Sequence, residues 1–314
     1  MKSIHLIAPS GASLDSKSPL AGIDWLRRQG ISIQNADCVQ RVYERFAGND
    51  DQRLAELNQL STIDPQTLVM AMRGGYGLHR LLSGIEWNAI AKNIQHGLQI
   101  CGHSDFTVFQ LGLLAKTGAI TLAGPMLNYD FGRLGDDGAP VVPDEFMWKY
   151  FQTAIQDRKL ECQVSTPQSF LVNKGKHSIT GLLWGGNLTV LAGLVGTPYI
   201  PSIQQTQGGI LFLEDVNEHP YRIERMLMQL LDAGILSNQA AILFGGFSAY
   251  RLYDNDKGYS LERAIEAIRK RLPEAIPILT GFPFGHQANK LTLPVGAKAN
   301  LNFSPSGFEI KAQW

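Results

Sequence analysis

The chain has 314 residues, 44% of them apolar, and its 28 Lys plus Arg are matched by 28 Asp plus Glu, for a formal net charge of zero. That length exceeds one typical domain and favours two. The balanced charge, with no polybasic or acidic block, argues against nucleic acid or a charged membrane surface as partner and points to a neutral, small-molecule or peptide substrate.

The opening "MKSIHLIAPSGASLD" carries one Lys and a short apolar stretch broken by Pro9 and Ser10, so it lacks the continuous core of a signal peptide, and no stretch reaches the length of a membrane span. Cys38, Cys101 and Cys162 are odd in number and widely spaced, which fits neither a disulfide framework nor a CxxC metal site. A reduced, cytoplasmic location is the expectation. The first half alternates short apolar runs ("SIHLIA", "ISIQNA", "TLVMAM", "GLQICG", "AITLAG") with segments of helical period ("PLAGIDWLRRQG", "DDQRLAELNQL", "DFTVFQLGLLAKTG"), the pattern of βαβ units around a parallel sheet. Gly118 is placed as a helix C-cap, and "DEFMWKYFQTAIQ" reads as a further helix.

Residues 158–180 are polar, carry Pro167 and Gly175, and show no sustained apolar period; they read as an inter-domain linker with a short strand at "SFLV". Beyond them, "GILFLEDV" followed by "YRIERMLMQLLDAG", and "AAILFGGF" followed by "LERAIEAIRKRL", keep an α/β character. The chain closes on turn-rich strands, with "SPSG" as a hairpin turn. The expected fold is α/β: an N-terminal Rossmann-like parallel-sheet domain over residues 1–157, the linker, and a C-terminal mixed α/β domain over residues 181–314 with a β-rich, barrel-like part.

Ser104 in "QICGHSDFTVFQL" lies where a strand gives way to a helix. A serine at such a turn projects its hydroxyl from the sheet edge beside unpaired helix amides that can stabilise an oxyanion. The same residue followed by Asp105 is also ordinary N-capping chemistry, and on spacing alone capping is the commoner outcome. "GHSDF" is not a full GxSxG elbow, because Phe106 replaces the second glycine, although Gly102 lets the turn tighten. Cys101 reads as a buried strand residue. His103, the serine's neighbour, ranks below the other histidines as a base because neighbours in a turn point apart.

A nucleophilic serine needs a base, and the base an orienting acid. His286 in "GFPFGHQANKLTLPVG" lies on a loop constrained by Pro and Gly after a strand; the alternative is an ordinary surface histidine. His219 precedes Pro220 at a helix start and reads equally as a cap. The strand "GILFLED" ends in Glu214 and Asp215, where α/β active sites gather, and strand alternation lets at most one face a given cleft. Glu218, Arg222, Glu224 and Arg225 read as the solvated face of the next helix. "MRGGYG", residues 72–77, follows a strand and can bring backbone amides to a substrate oxygen, with Arg73 available to a carboxylate; it fits neither a Walker loop nor GxGxxG. "WGGN", residues 184–187, is either a second wall or a tight turn capped by Asn187, with Trp184 as core or stacking surface. No HExxH or comparable ligand cluster is present, which disfavours a metal hydrolase.

Taken together, "MRGGYG", "GHSD", "GGNL", "GTPY", "LFLEDVNEHPYRIERML", "GFPFGH" and "LTLPVG" occur in an order that resembles the LD-carboxypeptidases, serine peptidases of the muramoyltetrapeptide carboxypeptidase type, from "LIAPSG" nearly to the end of the chain. The resemblance implies a cytoplasmic enzyme of murein recycling that removes the terminal D-alanine of a muropeptide tetrapeptide after the L-centre of diaminopimelate, with no metal or other cofactor. It implies Ser104 as nucleophile, Glu214 as triad acid and His286 as base. Backbone amides of Gly75 and Asp105 would form the oxyanion hole, with Gly74 the alternative to Gly75. Arg73 becomes a candidate for the terminal carboxylate on charge grounds, and a homodimer is implied. One departure stands out: the resemblance leads one to expect an aromatic or apolar residue where this chain has His103. Two rivals are a microcin-immunity-type peptidase cutting a peptidyl-nucleotide, for which a longer loop with a stacking aromatic is expected, and a non-catalytic two-lobed peptide-binding protein.

Overall fold

The computed structural model describes residues 2–165, 170–171, 178–304 and 307–314. Its strands are, in chain order, β1 (Ser3–Ile7), β2 (Ser32–Gln34), β3 (Leu68–Ala71), β4 (Gln99–Gly102), β5 (Thr121–Ala123), β6 (Lys159–Ser165) and β7 (Phe170–Leu171). They continue with β8 (Ser178–Asn187), β9 (Ile210–Val216), β10 (Ala241–Ser248), β11 (Ile278–Leu279), β12 (Leu293–Val295), β13 (Lys298–Ser304) and β14 (Gly307–Gln313).

The first sheet runs β12-β5-β4-β3-β1-β2, with β1 to β5 parallel and β12 antiparallel on β5. All four residues of β3 are buried, as expected for a central parallel strand covered on both faces. From β1 the chain goes to β2 on one side and then crosses to β3 on the other, so the strand order switches direction between β1 and β3. Ligand clefts of doubly wound sheets open at such a switch, beyond the carboxyl ends of the strands. Here the loops after β1, β3 and β4 converge, and Gly11 N donates to Gly74 O at 3.2 Å between the first two.

The second sheet, β6-β14-β13-β8-β9-β10-β11-β7, curls into a half-barrel. Strand β8 joins its two parts: residues 178–182 pair antiparallel with β13, and residues 183–187 pair parallel with β9. The helix Thr107–Thr117, directly after Ser104, buries eight of its residues because it lies between the two sheets, where an amphipathic face would leave apolar surface unmatched. Phe106, Phe109, Leu183, Leu213 and Phe284 belong to one continuous core, so both halves are bound by the same apolar burial. Gly118 ends that helix in the left-handed conformation, φ 72°.

The stretch expected to be linker is partly sheet. Lys159–Ser165 is an edge strand paired along its length with β14. Its inward residues, Leu160 and Cys162, alternate with polar ones turned outward, so a half-buried strand reads as polar sequence. Of the expected "SFLV" strand, Phe170–Leu171 pairs with β11, and Ser169 and Val172 lie outside the described residues. The tip of the "SPSG" turn, residues 305–306, lies outside them too, and its flanks pair antiparallel through Ser304 and Gly307. Leu293–Val295, from the second half of the chain, completes the edge of the first sheet. Among the described residues no helix is long and apolar enough to cross a membrane.

Candidate active site

Ser104 occupies the turn between β4 and the following helix with φ 61°, a left-handed conformation that a non-glycine residue holds only under external constraint. The constraint comes from both sides. Phe106 N donates to His103 O at 3.1 Å, and the apolar helix beyond is locked in the core. Ser104 faces a cleft of about 390 Å³ lined also by Arg73, Gly74, Gly75, Tyr129 and His286.

The glycine loop after β3 lies against this turn. A Cβ on Gly74 would come within 2.6 Å of Ser104 Oγ and 3.1 Å of Asp105 N, so only glycine lets the loop approach Ser104 this closely. Among the described residues, the amides of Gly75 and Asp105 have no hydrogen-bond partner. The Asp105 carboxylate turns the other way and accepts from Leu78 N at 3.2 Å, pinning the far end of the loop; its burial raises its pKa. The side chain is therefore structural, while its amide stays free.

Glu214 and His286 meet at the cleft. His286 Nδ1 donates to Glu214 Oε2 at 2.7 Å, with the carboxylate fully buried. Since the carboxylate can only accept, this bond places the proton on Nδ1 and leaves the Nε2 lone pair free. The loop can cross Glu214 because residue 285 is glycine: at φ 126° its backbone lies so close that a Cβ would be 3.2 Å from Oε2. The second carboxylate oxygen accepts from Asn187 Nδ2 at 3.2 Å. Asn187 also donates to Asp215 Oδ1 at 3.1 Å, caps the helix Leu188–Leu194 through Val190 N, and takes Thr107 Oγ1 as acceptor for its own amide. "WGGN" is thus the end of strand β8 rather than a turn, and its last residue ties β9 to the helix that follows Ser104. Asp215 also accepts from Thr189 N and Oγ1, both at 2.8 Å; burial pushes its carboxyl up to about 6. The Tyr129 hydroxyl donates to His286 O at 3.0 Å and fixes the loop from outside.

His103 is buried behind His286, the ring centroids 5.1 Å apart. Its Nδ1 donates to Gly124 O at 3.0 Å and its Nε2 accepts from Lys290 Nζ at 3.4 Å. Lys290 is itself paired with Asp130 at 2.6 Å, both side chains buried. Burial first, then the Lys290 charge, hold the His103 pKa well below the ordinary histidine value.

Ser104, Glu214, His286, Gly75, Asp105 and Arg73 are thus gathered at one place from both halves of the chain. Among the described residues Ser104 Oγ makes no hydrogen bond to His286; the two share the cleft wall. The Arg73 guanidinium lines the cleft and donates through Nη1 to Ala12 O at 2.5 Å; burial and the nearby Arg45 lower its pKa. His219 is a helix N-cap whose Nε2 donates to Asp256 at 3.0 Å, Trp184 is core, and Cys101 is buried in β4. Sequence reasoning passed over Tyr129, Asp130 and Lys290, and it gave Asn187 only a capping role. A lysine inside the apolar run "KLTLPV" was the one available signal. Among the described residues no group of three or more His, Cys, Asp or Glu is placed to hold a metal ion.

Known proteins resemble this chain over most of its length. Residues 4–124 match the LD-carboxypeptidase N-terminal domain and residues 180–301 the LD-carboxypeptidase C-terminal domain. The chain is 32% identical over 309 residues to the probable murein peptide carboxypeptidase of Bacillus subtilis (strain 168), covering 98% of this chain and 91% of that one. It is 28% identical over 317 residues to the microcin C7 self-immunity protein MccF of Escherichia coli, covering 93% and 88%. The crystal structure of muramoyltetrapeptide carboxypeptidase from Oxalobacter formigenes superposes with a TM-score of 0.85 at 38% identity, over 100% of this chain and 99% of that one.

Proposed function

The chain belongs to the LD-carboxypeptidase family of serine peptidases, and from that premise we propose that it releases the terminal D-alanine of murein tetrapeptides, with Ser104, His286 and Glu214 as its triad. The observation that carries the reading is the 2.7 Å bond from His286 Nδ1 to a buried Glu214, which leaves Nε2 as a free base in the cleft that holds Ser104. In the proposed reaction His286 Nε2 takes the Ser104 proton as Oγ attacks the carbonyl carbon before D-alanine. The oxyanion enters the space that Gly74 leaves open, toward the amides of Gly75 and Asp105. Collapse breaks the C–N bond, His286 returns the proton to the leaving amine, and D-alanine departs. Water then hydrolyses the peptidyl ester on Ser104 by the same route. Glu214 holds the tautomer and balances the imidazolium. Arg73, which lines the cleft, pairs with the terminal carboxylate. A homodimer working in the cytoplasm completes the proposal.

The likeness to the microcin self-immunity protein sustains one alternative, cleavage of a peptidyl-nucleotide. Both are decided by incubating the enzyme with a defined murein tetrapeptide, the same peptide amidated at its C-terminus, and an aminoacyl sulfamoyl nucleoside. Release of D-alanine from the free tetrapeptide, at least about tenfold faster than D-alaninamide from the amide, is the expected result. No release at any pH, with cleavage of the nucleoside conjugate, would establish the alternative.

A further inference from the structure

The proposed triad leaves unexplained why a lysine, an aspartate and a second histidine are buried together directly behind the base. Buried ion pairs seldom stabilise a fold more than an apolar replacement would, so stability does not account for one placed here. Its contacts suggest another purpose. Lys290 Nζ reaches His103 Nε2 at 3.4 Å on one side and lies 4.9 Å from the centre of the Tyr129 ring on the other. These are the two residues that touch His286 from behind and from its backbone: His103 through ring contact at 5.1 Å, Tyr129 through its bond to His286 O at 3.0 Å. Lys290 also sits in the same loop as His286, closed at its base by Leu291 N donating to Pro283 O at 2.8 Å.

The carbonyl of Gly124 can only accept, so His103 carries its proton on Nδ1 and offers Nε2 to the lysine. With both nitrogens occupied, His103 is a neutral wall and cannot exchange protons with its neighbour. Asp130, anchored by Met126 N at 2.7 Å, cancels the lysine charge at 2.6 Å.

We propose that Lys290 and Asp130 are positioning residues for His286, a charge-balanced pair that clamps its loop, keeps His103 neutral and sets the proton affinity of the base. The inference rests on the reading of His286 as the base. The other charged or titratable groups around that imidazole are Glu214 on β9, with Asp215 beyond it, Tyr129, and Asp15, Arg73 and Arg133 lining the cleft. None of these changes in the test below, so an altered titration reports the buried pair.

Removing either charge leaves the other unbalanced in a region of low dielectric, and the two removals act in opposite directions. Lys290→Met strands the Asp130 carboxylate and raises the titration midpoint of His286; burial still holds His103 neutral, and because its Nδ1 lies 3.9 Å from Asp130 its own ring signal is followed in the same spectra. Asp130→Asn strands the ammonium and lowers it. The double variant has no net change and returns close to wild type. Titrating the His286 ring carbon by NMR in ¹³C-histidine-labelled protein reads this directly, with the acidic limb of the kcat/KM profile as a parallel readout. Shifts of about one pH unit, opposite in sign in the single variants and cancelling in the double, are expected. Shifts of the same sign, or none, overturn the proposal. Should Lys290→Met not fold, the downward shift in Asp130→Asn and its reversal in the double variant carry the test. The NMR titration does not depend on turnover: an active His286→Ala enzyme would refute the triad, whereas absent opposite shifts would refute only the role of the pair.

Discussion

Two histidines in van der Waals range of each other, with ring centroids 5.1 Å apart, have been given different chemistry by what holds their nitrogens. His286 is bonded at Nδ1 to a carboxylate and open at Nε2. His103 is bonded at Nδ1 to a carbonyl and closed at Nε2 by an ammonium. A carboxylate behind an imidazole favours its protonation during turnover, and a cation behind it opposes protonation. Proximity to the serine in sequence counts for less than these second-nitrogen partners.

The sharpest way to break the comparison is at Glu214. Its two oxygens serve two donors, His286 and Asn187, and Glu214→Gln can accept from only one of them. The amide would drive His286 toward the tautomer protonated at Nε2. A fall in kcat of about 10³–10⁴-fold with little change in stability is expected from steady-state assays. A loss below tenfold would mean that the carboxylate does not set the tautomer.

Asn187→Ala removes the support behind Glu214 together with a helix cap. It should lower kcat by about tenfold and cost about 1–2 kcal/mol in urea unfolding. Retained kcat with lowered stability would reduce Asn187 to its cap. Tyr129→Phe removes one bond to the His286 backbone, and about a fivefold drop in kcat is expected with KM nearly unchanged.

Asp215, which shares Asn187 Nδ2 with Glu214, bears on stability rather than on turnover. Its carboxyl is pushed up to about 6 from an ordinary 3.8, so between these values the folded state binds more protons than the unfolded state. Stability from this group therefore falls as pH rises through that window. Relative to Asp215→Asn, the wild type should gain about 2 kcal/mol on going from pH 7 to pH 4. A flat difference across that range in chemical denaturation would remove the assigned strain.

The fold and the residues of the proposed triad were legible for different reasons. Alternating apolar runs exposed the parallel sheet, because buried central strands such as β3 leave no polar face to obscure them. Ser104, Glu214 and His286 stood at strand ends or on a constrained loop, where position alone narrows the choice, and the ordered motifs favoured catalysis over capping. The His103, Asp130 and Lys290 cluster was not legible as a cluster: its members come from three separate segments, and neither the odd histidine nor the lysine in an apolar run says that the two meet. Strand β6 was hidden because its inward residues, Leu160, Cys162 and the half-buried Val164, alternate with four polar ones. Strand β12 was hidden because three residues between turns do not reveal which sheet they join.

The central claim, that Ser104 and His286 act together on a terminal D-alanine, is tested most directly by D-alanine release from a defined murein tetrapeptide with wild type, Ser104→Ala and His286→Ala side by side. The account predicts steady release by wild type and a loss of about 10⁴-fold or more in each variant, with neither loss adding to the other in the double variant. Release by Ser104→Ala within tenfold of wild type would contradict it.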